Sequence, residues 1–447
     1  MLLTKSLQLI DREEKVIGSS MKIRMYPLVA DKAKRARIFD VDGKEYIDFT
    51  ANWGVANTGY CHPKIIDAIK KQAEKNTFAS FTTVITESGI ELAEKLIEIT
   101  PGDFEKKVTF GLSGSDANDC ISKLVTLATG KHRIISYFGA YHGQTMGSLS
   151  MSGHTAQAKF IGTGNIVKIP YPYCYRCAFD KTHENCDLTC LRYLENYIFK
   201  TICPPEDTAA VIVEAIQCDG GDIVPPAEYM HQLKKICERN NIFIIFDEVK
   251  IGVGRTGKFF GFEHFDIIPD AVVFGKPIAS GLPLSGVIAR KEILDSSVAT
   301  HMLTTGGCPI STAAALATIN IVVNEGLMKN VEDMGNYLKH QLLELKEKYE
   351  IIGDVRGKGL ILGLELVRDR KTKEPASKET AKICYRAFQK GLIIFYVGIH
   401  SNVLEFTPPL NITKEDVDTG LRILEESIIE VLNGKVSDEE LQRYAGW

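Results

Sequence analysis

Residues 242–281 read IFIIFDEVKIGVGRTGKFFGFEHFDIIPDAVVFGKPIASG, and the predicted fold follows from the pattern of this stretch. It contains two short apolar runs, at residues 242–246 and 271–274, that are rich in β-branched or aromatic side chains. Runs of this length and composition are typical of buried strands that are covered on both faces. Each run is followed closely by an ionisable residue, Asp247 after the first and Lys276 after the second.

Similar apolar runs precede this stretch, at residues 109–112, 133–138 and 209–213. Helical patterns lie between several of the runs, at residues 116–128 and 226–239. Because strands and helices alternate in this way, the sequence predicts an α/β fold with a mostly parallel, doubly wound sheet.

The two ends of the chain have a different pattern. Residues 311–350 read as long helices, and residues 353–366 and 391–406 read as strands before an amphipathic helix at 414–432. An N-terminal hairpin pattern at residues 38–49 has Asp42-Gly43 as its turn. We therefore expect three segments: an N-terminal segment packed with the small domain (1–60), a large domain (61–320) and a small C-terminal α+β domain (321–447).

Composition excludes several classes of protein. The 447 residues carry a formal net charge of −4, so no basic face for nucleic acid is expected. No apolar run reaches the roughly 18 residues that a membrane span requires. Asp11, Glu13 and Glu14 are acidic residues in a position that does not fit a signal peptide, so we expect a cytoplasmic protein.

Four of the 11 cysteines form a cluster, Cys174-x2-Cys177-x8-Cys186-x3-Cys190. Thiolates at such spacing are candidate ligands of a structural zinc ion, with reduced thiols or a disulfide as the alternatives. The remaining seven are expected to be small buried residues: Cys61, Cys120, Cys203, Cys218, Cys237, Cys308 and Cys384.

Candidate catalytic and cofactor-binding residues follow the predicted strands. Ser113-Gly-Ser-Asp-Ala-Asn118 opens a helix, where backbone N–H groups attract a phosphate, although many helices begin with Gly-Ser as a simple cap. Tyr141-His142-Gly143 offers a ring that could stack on a planar cofactor or belong to the core. A carboxylate at Asp247 would keep a facing pyridine nitrogen protonated. Lys276 either reaches solvent or is a desolvated amine nucleophile.

In this order, these residues resemble the class III pyridoxal-phosphate aminotransferases. The resemblance extends from Asp40-Val-Asp-Gly-Lys-Glu-Tyr-Ile-Asp48 to Pro408-Pro409-Leu410, and its most specific part is Asp247-Glu-Val-Lys-Ile-Gly-Val-Gly-Arg-Thr-Gly257 followed by Gly275-Lys276-Pro-Ile-Ala-Ser-Gly. It implies an aspartate-aminotransferase-like fold, pyridoxal 5′-phosphate as cofactor, and a homodimer, or a tetramer, with active sites at the subunit interface.

The resemblance also implies a role for individual residues. Lys276 would form the Schiff base with the cofactor, and Asp247 would pair with its pyridinium nitrogen. Other implied contacts are Gly114 and Ser115 with the phosphate, Tyr141 and Val249 with the two ring faces, His142 and Glu214 near the cofactor, and Thr304 with the phosphate of the neighbouring subunit's cofactor.

Three positions depart from the family pattern. Glu405 replaces an arginine that grips a substrate carboxylate in many members, unless it is a rim residue that points at water. Lys250 stands where the family usually has Gln or Asn beside the cofactor's phenolic oxygen, unless it faces solvent. Asp219, in Gln217-Cys-Asp-Gly-Gly221, resembles the racemases and isoleucine 2-epimerases of the family, unless it only forms a turn.

Two enzymatic functions follow from these departures. We favour an aminotransferase that moves an amino group from an amine or β/ω-amino compound, such as a diamine or a 3-aminobutyryl-CoA-like thioester, to a keto acid. The alternative is an amino-acid racemase or 2-epimerase that uses Lys276 and Asp219. Trp53, Asp219 and Glu405 are the candidate substrate-binding residues, and a scaffold protein without catalysis is the third class.

Overall fold

The computed structural model describes residues 4–154, 164–441 and 444. The chain forms two compact units. The smaller unit combines both ends of the chain, Met1–His62 and Lys329–Trp447, and the larger unit is Pro63–Met328. No single helix in the described ranges is long and apolar enough to cross a membrane.

The strands and helices are as follows. The strands are β1 (Ala30–Lys34), β2 (Arg37–Asp40), β3 (Glu45–Asp48), β4 (Lys106–Gly111), β5 (Arg133–Tyr137), β6 (Ile166–Ile169), β7 (Thr208–Val213), β8 (Phe243–Asp247), β9 (Ala271–Phe274), β10 (Ser285–Arg290), β11 (Ile352–Lys358), β12 (Ile361–Asp369), β13 (Glu374–Pro375), β14 (Leu392–Ile393), β15 (Phe395–Val397) and β16 (Val403–Phe406). The α-helices are Lys5–Val16, Pro63–Lys75, Glu87–Ile99, Gly114–Thr129, Met146–Met151, Thr189–Tyr193, Phe199–Thr201, Ala227–Arg239, Lys291–Leu294, Pro309–Asn324, Leu327–Lys348, Ser377–Gln389 and Lys414–Leu432.

The larger unit is built on one sheet with the strand order β4-β10-β9-β8-β7-β5-β6. The strands from β9 to β6 in this order pair in parallel, and β10 pairs antiparallel with both β9 and β4. It follows that β4 runs in the same direction as β9, so the carboxyl ends of all strands except β10 lie at one edge. The expected α/β fold with a large, mostly parallel sheet is confirmed.

The core of the larger unit explains why the apolar runs become strands. Every residue of β7 and β9 is buried. Ala117, Ile121 and Val125, which share one face of the helix Gly114–Thr129, pack in the same apolar cluster as strand residues such as Ile212 and Val273. This packing fixes the helix, and therefore its N-terminus, at the edge where the strands end.

The smaller unit contains two sheets, β1-β2-β3-β14 and β11-β12-β16-β15, with β13 on β12. Strand β14 pairs in parallel with β3, so Leu392 lies opposite Ile47 and the two ends of the chain share one sheet. The ring of Phe388 stacks between Tyr26 and Tyr46, with centroid distances of 4.6 and 5.0 Å, and reinforces this junction.

Candidate active site

The carboxyl ends of five strands of the larger unit bring the predicted cofactor residues to one edge of the sheet. Ligands of open α/β sheets bind at this edge. The residues that lie there are Gly114 and Ser115 after β4, Tyr141 and His142 after β5, Glu214 after β7, Asp247 at the end of β8, and Lys276 after β9.

Asp247 is a buried carboxylate held by three donors. Its Oδ2 lies 2.7 Å from Nδ1 of His142 and accepts a 2.8 Å hydrogen bond from Nδ2 of Asn118. Its Oδ1 accepts from the backbone N–H of Val249 at 3.0 Å. Asn118 also donates to the carbonyl of His142, which ties the helix to the loop after β5. The carboxylate is therefore fixed in orientation, and its charge is stabilised although it is buried.

Lys276 follows β9 in a strained conformation, with a φ of 39°. Its Nζ lies 5.9 Å from the centre of the Tyr141 ring. Burial and the positive charge of Lys250 lower the pKa of the Lys276 ammonium, while Asp219 opposes this effect. A lowered pKa favours the neutral amine, which is the nucleophilic form.

The helix Gly114–Thr129 begins with a capping box. The Ser113 hydroxyl caps the N–H of Asp116 and donates to the Asp116 carboxylate at 2.8 Å. The Ser115 hydroxyl accepts from the N–H of Gln144 at 3.1 Å. A Cβ at position 114 would lie 2.7 Å from Cγ1 of Val249, so glycine is required for this close approach. The arrangement presents a helix N-terminus that can bind an anion.

Glu214 is a buried acid with one unsatisfied oxygen. Its Oε1 accepts from the N–H of Cys218 at 3.3 Å, while Oε2 is buried and has no hydrogen-bond partner among the described residues. Burial, with the charges of Asp247 and Asp219, raises the pKa of Glu214 well above its ordinary value. When protonated, the carboxyl can donate a hydrogen bond, and Nε2 of His142 is a second buried atom that has no hydrogen-bond partner in the described part of the chain.

These groups fit pyridoxal 5′-phosphate. The helix N-terminus with Ser115 matches the phosphate, Asp247 matches the pyridine nitrogen, and Lys276 matches the aldehyde. The unpartnered polar atoms of Glu214 and His142 are consistent with a site that a polar ligand completes.

Asp219 and Lys250 lie near the same groups. Asp219 is 9% exposed, and its charge contributes to the raised pKa of Tyr141 and of Glu214. Lys250 is 7% exposed, so the alternative of a solvent-facing lysine is wrong. Asp219 and Lys250 therefore set the charge around Lys276 with opposite signs.

Two candidate substrate residues belong to the smaller unit. Glu405 lies on β16 between Gly363 and Phe395 and is fully buried, so the alternative of a rim glutamate that points at water is wrong. The indole of Trp53 stacks on Phe395, with a centroid distance of 4.3 Å. Trp53 and Glu405 thus share Phe395 as a neighbour.

The four clustered cysteines are free thiols that line one cavity together with His183. In the described part of the chain, no group of three or more His, Cys, Asp or Glu side chains is arranged so that it could hold a metal ion. The four cysteines thus line one cavity without forming such a group, and the zinc site stays a prediction. Two isolated cysteines also differ from expectation, because Cys61 is exposed and Cys308 is partly exposed.

Thr304 and Asn118 are two further residues of the larger unit with an expected or observed role near the candidate site. Thr304 is exposed in a turn of the larger unit, and its contact with a neighbouring subunit stays a prediction. Asn118 belongs to the helix-opening motif, and the structure gives it a role that the motif does not indicate, because its side chain positions Asp247. Its spacing of four residues from Gly114 is the signal that places both on one helix face.

The family model, the curated relatives and the solved structures that are similar to this chain all point to the same family. A family model described as aminotransferase class-III matches residues 19–428. An alanine/serine racemase of Pyrococcus horikoshii is 42% identical over 97% of this chain and 92% of its own. A 5-aminovalerate aminotransferase of Pseudomonas aeruginosa is 37% identical over 91% of this chain and 95% of its own. The solved structure of an (S)-enantioselective omega-transaminase from Thermomicrobium roseum has a TM-score of 0.88 at 30% identity, covering 98% of this chain and 100% of its own.

Proposed function

The chain belongs to the class III aminotransferase family, whose cofactor is pyridoxal 5′-phosphate, and we propose that it is an amino-acid racemase or 2-epimerase. This reverses the order of the two functions expected from the sequence. The 42% identity to an alanine/serine racemase, against 37% to an aminotransferase, supports the reversal. The observation that carries the proposal is the position of Asp219.

Racemisation requires two groups that exchange a proton with the same carbon from opposite faces. Asp219 and Lys276 belong to the same unit, and the Asp219 charge acts on the pKa of Lys276 and of Tyr141. Asp219 and Lys276 therefore lie close to the same region of the candidate site, beside Tyr141. A transaminase needs only one such group, so a second one favours racemisation.

Each residue of the candidate site has its own role in the proposed reaction. With pyridoxal 5′-phosphate bound, Ser115 and the helix N-terminus would hold its phosphate, Asp247 would pair with the pyridine nitrogen, and Tyr141 would stack on the ring. The bound cofactor supplies an electron sink for the negative charge that develops on the substrate carbon. Lys276 removes the proton on one face and Asp219 returns a proton on the other, with the roles exchanged in the reverse direction.

Asp219→Asn tests this assignment. We expect racemisation of free amino acids to fall by about 10²- to 10⁴-fold, because the amide cannot exchange a proton. Deuterium exchange at the α-carbon of one enantiomer, which needs only Lys276, should persist, and borohydride reduction should still place a phosphopyridoxyl group on Lys276. Asp266→Asn, at an exposed position of the same unit, is the matched control. Full racemisation by Asp219→Asn would contradict the proposal.

Transamination of a compound without a free α-carboxylate is the second candidate. The buried Glu405, at the position where many members carry a carboxylate-binding arginine, favours it, since a buried carboxylate repels another. The discriminating measurement is a screen of ω-amino compounds with pyruvate or 2-oxoglutarate. Transfer of the amino group at a rate that exceeds racemisation would replace the first candidate with the second.

A further inference from the structure

A closed turn between Gln217 and Ile223, after β7 in the larger unit, carries Asp219. The backbone groups of Gln217 and Ile223 pair with each other, with N–O distances of 3.0 and 2.9 Å, and close the turn at its base. The carbonyl of Cys218 accepts from two N–H groups further along the turn, at 2.8 and 3.0 Å. All of these bonds lie within the turn, so they fix its shape and not its placement against the neighbouring loop.

The side chain of Gln217 connects this turn to the loop after β5, which carries Tyr141. Its Nε2 donates to the carbonyl of Phe138 at 3.0 Å. Gln217 is only 1% exposed, so water does not compete for this hydrogen bond. A Cβ at Gly139 would lie 2.8 Å from Oε1 of Gln217, which shows that the amide lies directly against the backbone of the loop.

The same amide packs against Gly220, the residue that follows Asp219 in the turn. A Cβ at Gly220 would lie 2.1 Å from Oε1 of Gln217, and the three atoms nearest to that Cβ all belong to the Gln217 side chain. The φ of Gly220 is not in the left-handed region, so this contact alone excludes a side chain there. The Gln217 amide is therefore enclosed between the turn and the loop after β5.

The loop after β5 is held in place by bonds of its own. The N–H of Gly139 donates to the carbonyl of Gly153 at 3.0 Å, and Nδ1 of His142 lies 2.7 Å from Oδ2 of Asp247. A side chain that binds this loop is thus placed relative to the candidate cofactor-binding residues. The Gln217 amide therefore transfers the position of a fixed loop to the turn that it closes.

We propose that Gln217 is a positioning residue that holds the turn of Asp219 against the loop of Tyr141, within reach of the substrate carbon. A proton is exchanged only over about the length of a hydrogen bond, so a displacement of about 1 Å at Asp219 is enough to slow its step. Lys276 is carried by the segment after β9, so its own step does not use this contact. The inference rests on the proposed function, because it gives Gln217 a role only if Asp219 exchanges a proton.

Gln217→Met in the full-length holoenzyme is the test, because methionine has a similar length but no N–H donor for the carbonyl of Phe138. With L-alanine or L-leucine in deuterated water, we expect racemisation to fall by about 10- to 10²-fold. Deuterium exchange at the α-carbon of the L-enantiomer, which needs only Lys276, should persist. The ratio of exchange to racemisation should therefore rise, whereas a merely structural loss would lower both rates together.

Gly220→Ala reaches the same contact from the other side, and it serves also if Gln217→Met does not fold. The new Cβ would displace the Gln217 amide, so the ratio of exchange to racemisation should rise as it does in Gln217→Met. In a Gln217→Ala background the clash is gone, and Gly220→Ala should have no further effect on the ratio. Such non-additivity is expected of two residues that act through one contact.

Asn240→Ala is the matched control, because Nδ2 of Asn240 also donates to a backbone carbonyl of the larger unit, that of Ile236 at 2.8 Å, but at the amino end of β8. It should leave the ratio unchanged. A folded Gln217→Met enzyme with the wild-type ratio, or a Gly220→Ala effect of equal size in both backgrounds, would overturn the inference. Failure of the proposed function has a different signature, since Asp219→Asn would then racemise like the wild type or the wild type would not racemise at all.

Discussion

Glu214 carries a carboxyl group that the fold separates from water and surrounds with negative charge. Its folded-state pKa is raised above the ordinary value of 4.5 by burial, Asp247 and Asp219. The stability contributed by the protonated form is therefore fully present below about pH 4.5 and is lost as pH rises through the folded pKa. The protonated form is a neutral donor, which glutamine can imitate.

Glu214→Gln should accordingly retain activity within about threefold of the wild type, whereas Asp247→Asn should lose at least about 10²-fold. In cofactor-free protein, the variant should gain stability relative to the wild type by up to about 1.4 kcal/mol per pH unit above pH 4.5. Urea denaturation between pH 5 and 8 measures this difference. Parallel pH curves for Glu214→Gln and the wild type would contradict the raised pKa, and exposed Glu206→Gln is the control.

At the scale of secondary structure elements, two helices offer a matched pair of caps. Ser113 caps the helix at the candidate phosphate site, and Thr413 caps Lys414–Leu432 in the other unit, each in a reciprocal capping box. Ser113→Ala and Thr413→Ala should each cost about 1 kcal/mol of unfolding free energy. Only Ser113→Ala should weaken the affinity for pyridoxal 5′-phosphate, which fluorescence titration measures. Equal effects of both variants on that affinity would contradict the assignment of the phosphate to the N-terminus of the helix Gly114–Thr129.

The sequence predicted most strands of the larger sheet, but it did not predict every element or the burial of every candidate residue. The apolar runs identified β4, β5, β7, β8 and β9 of the larger sheet but not the parallel strand β6. The residues after these runs identified most of the candidate site, because strand ends meet at one edge. Strand β10 was missed because it contains Gly286, where a Cβ would lie 2.1 Å from the carbonyl of Thr109; this close approach requires a residue with low strand propensity. The burial of Glu405 depends on its position between Gly363 and Phe395 on neighbouring strands, which no local pattern encodes.

At the scale of the whole molecule, two loops of the larger unit expose large apolar side chains to solvent. Ile85 is 70% exposed and Met302 is 63% exposed, in two loops that touch where Cys308 Sγ lies 3.8 Å from the carbonyl of Thr77. Apolar exposure of this kind is typical of protein–protein interfaces. Thr304, the residue expected to reach the neighbouring subunit's cofactor, is exposed in the second of these loops.

We therefore predict a homodimer through this surface. Ile85→Glu should raise the dissociation constant of the dimer by about 10- to 100-fold, because it places a charge where water is excluded. Each tenfold change corresponds to about 1.4 kcal/mol of binding free energy. Sedimentation velocity over a concentration series measures the change. Leu127→Glu, at a 51% exposed position on the helix Gly114–Thr129, should leave the dimer intact. If the dimer carries Thr304 to the neighbouring phosphate, the dissociated Ile85→Glu protein should also release its cofactor faster than the dimeric control. A monomeric wild type, or a dimer that Leu127→Glu disrupts and Ile85→Glu does not, would place the interface elsewhere.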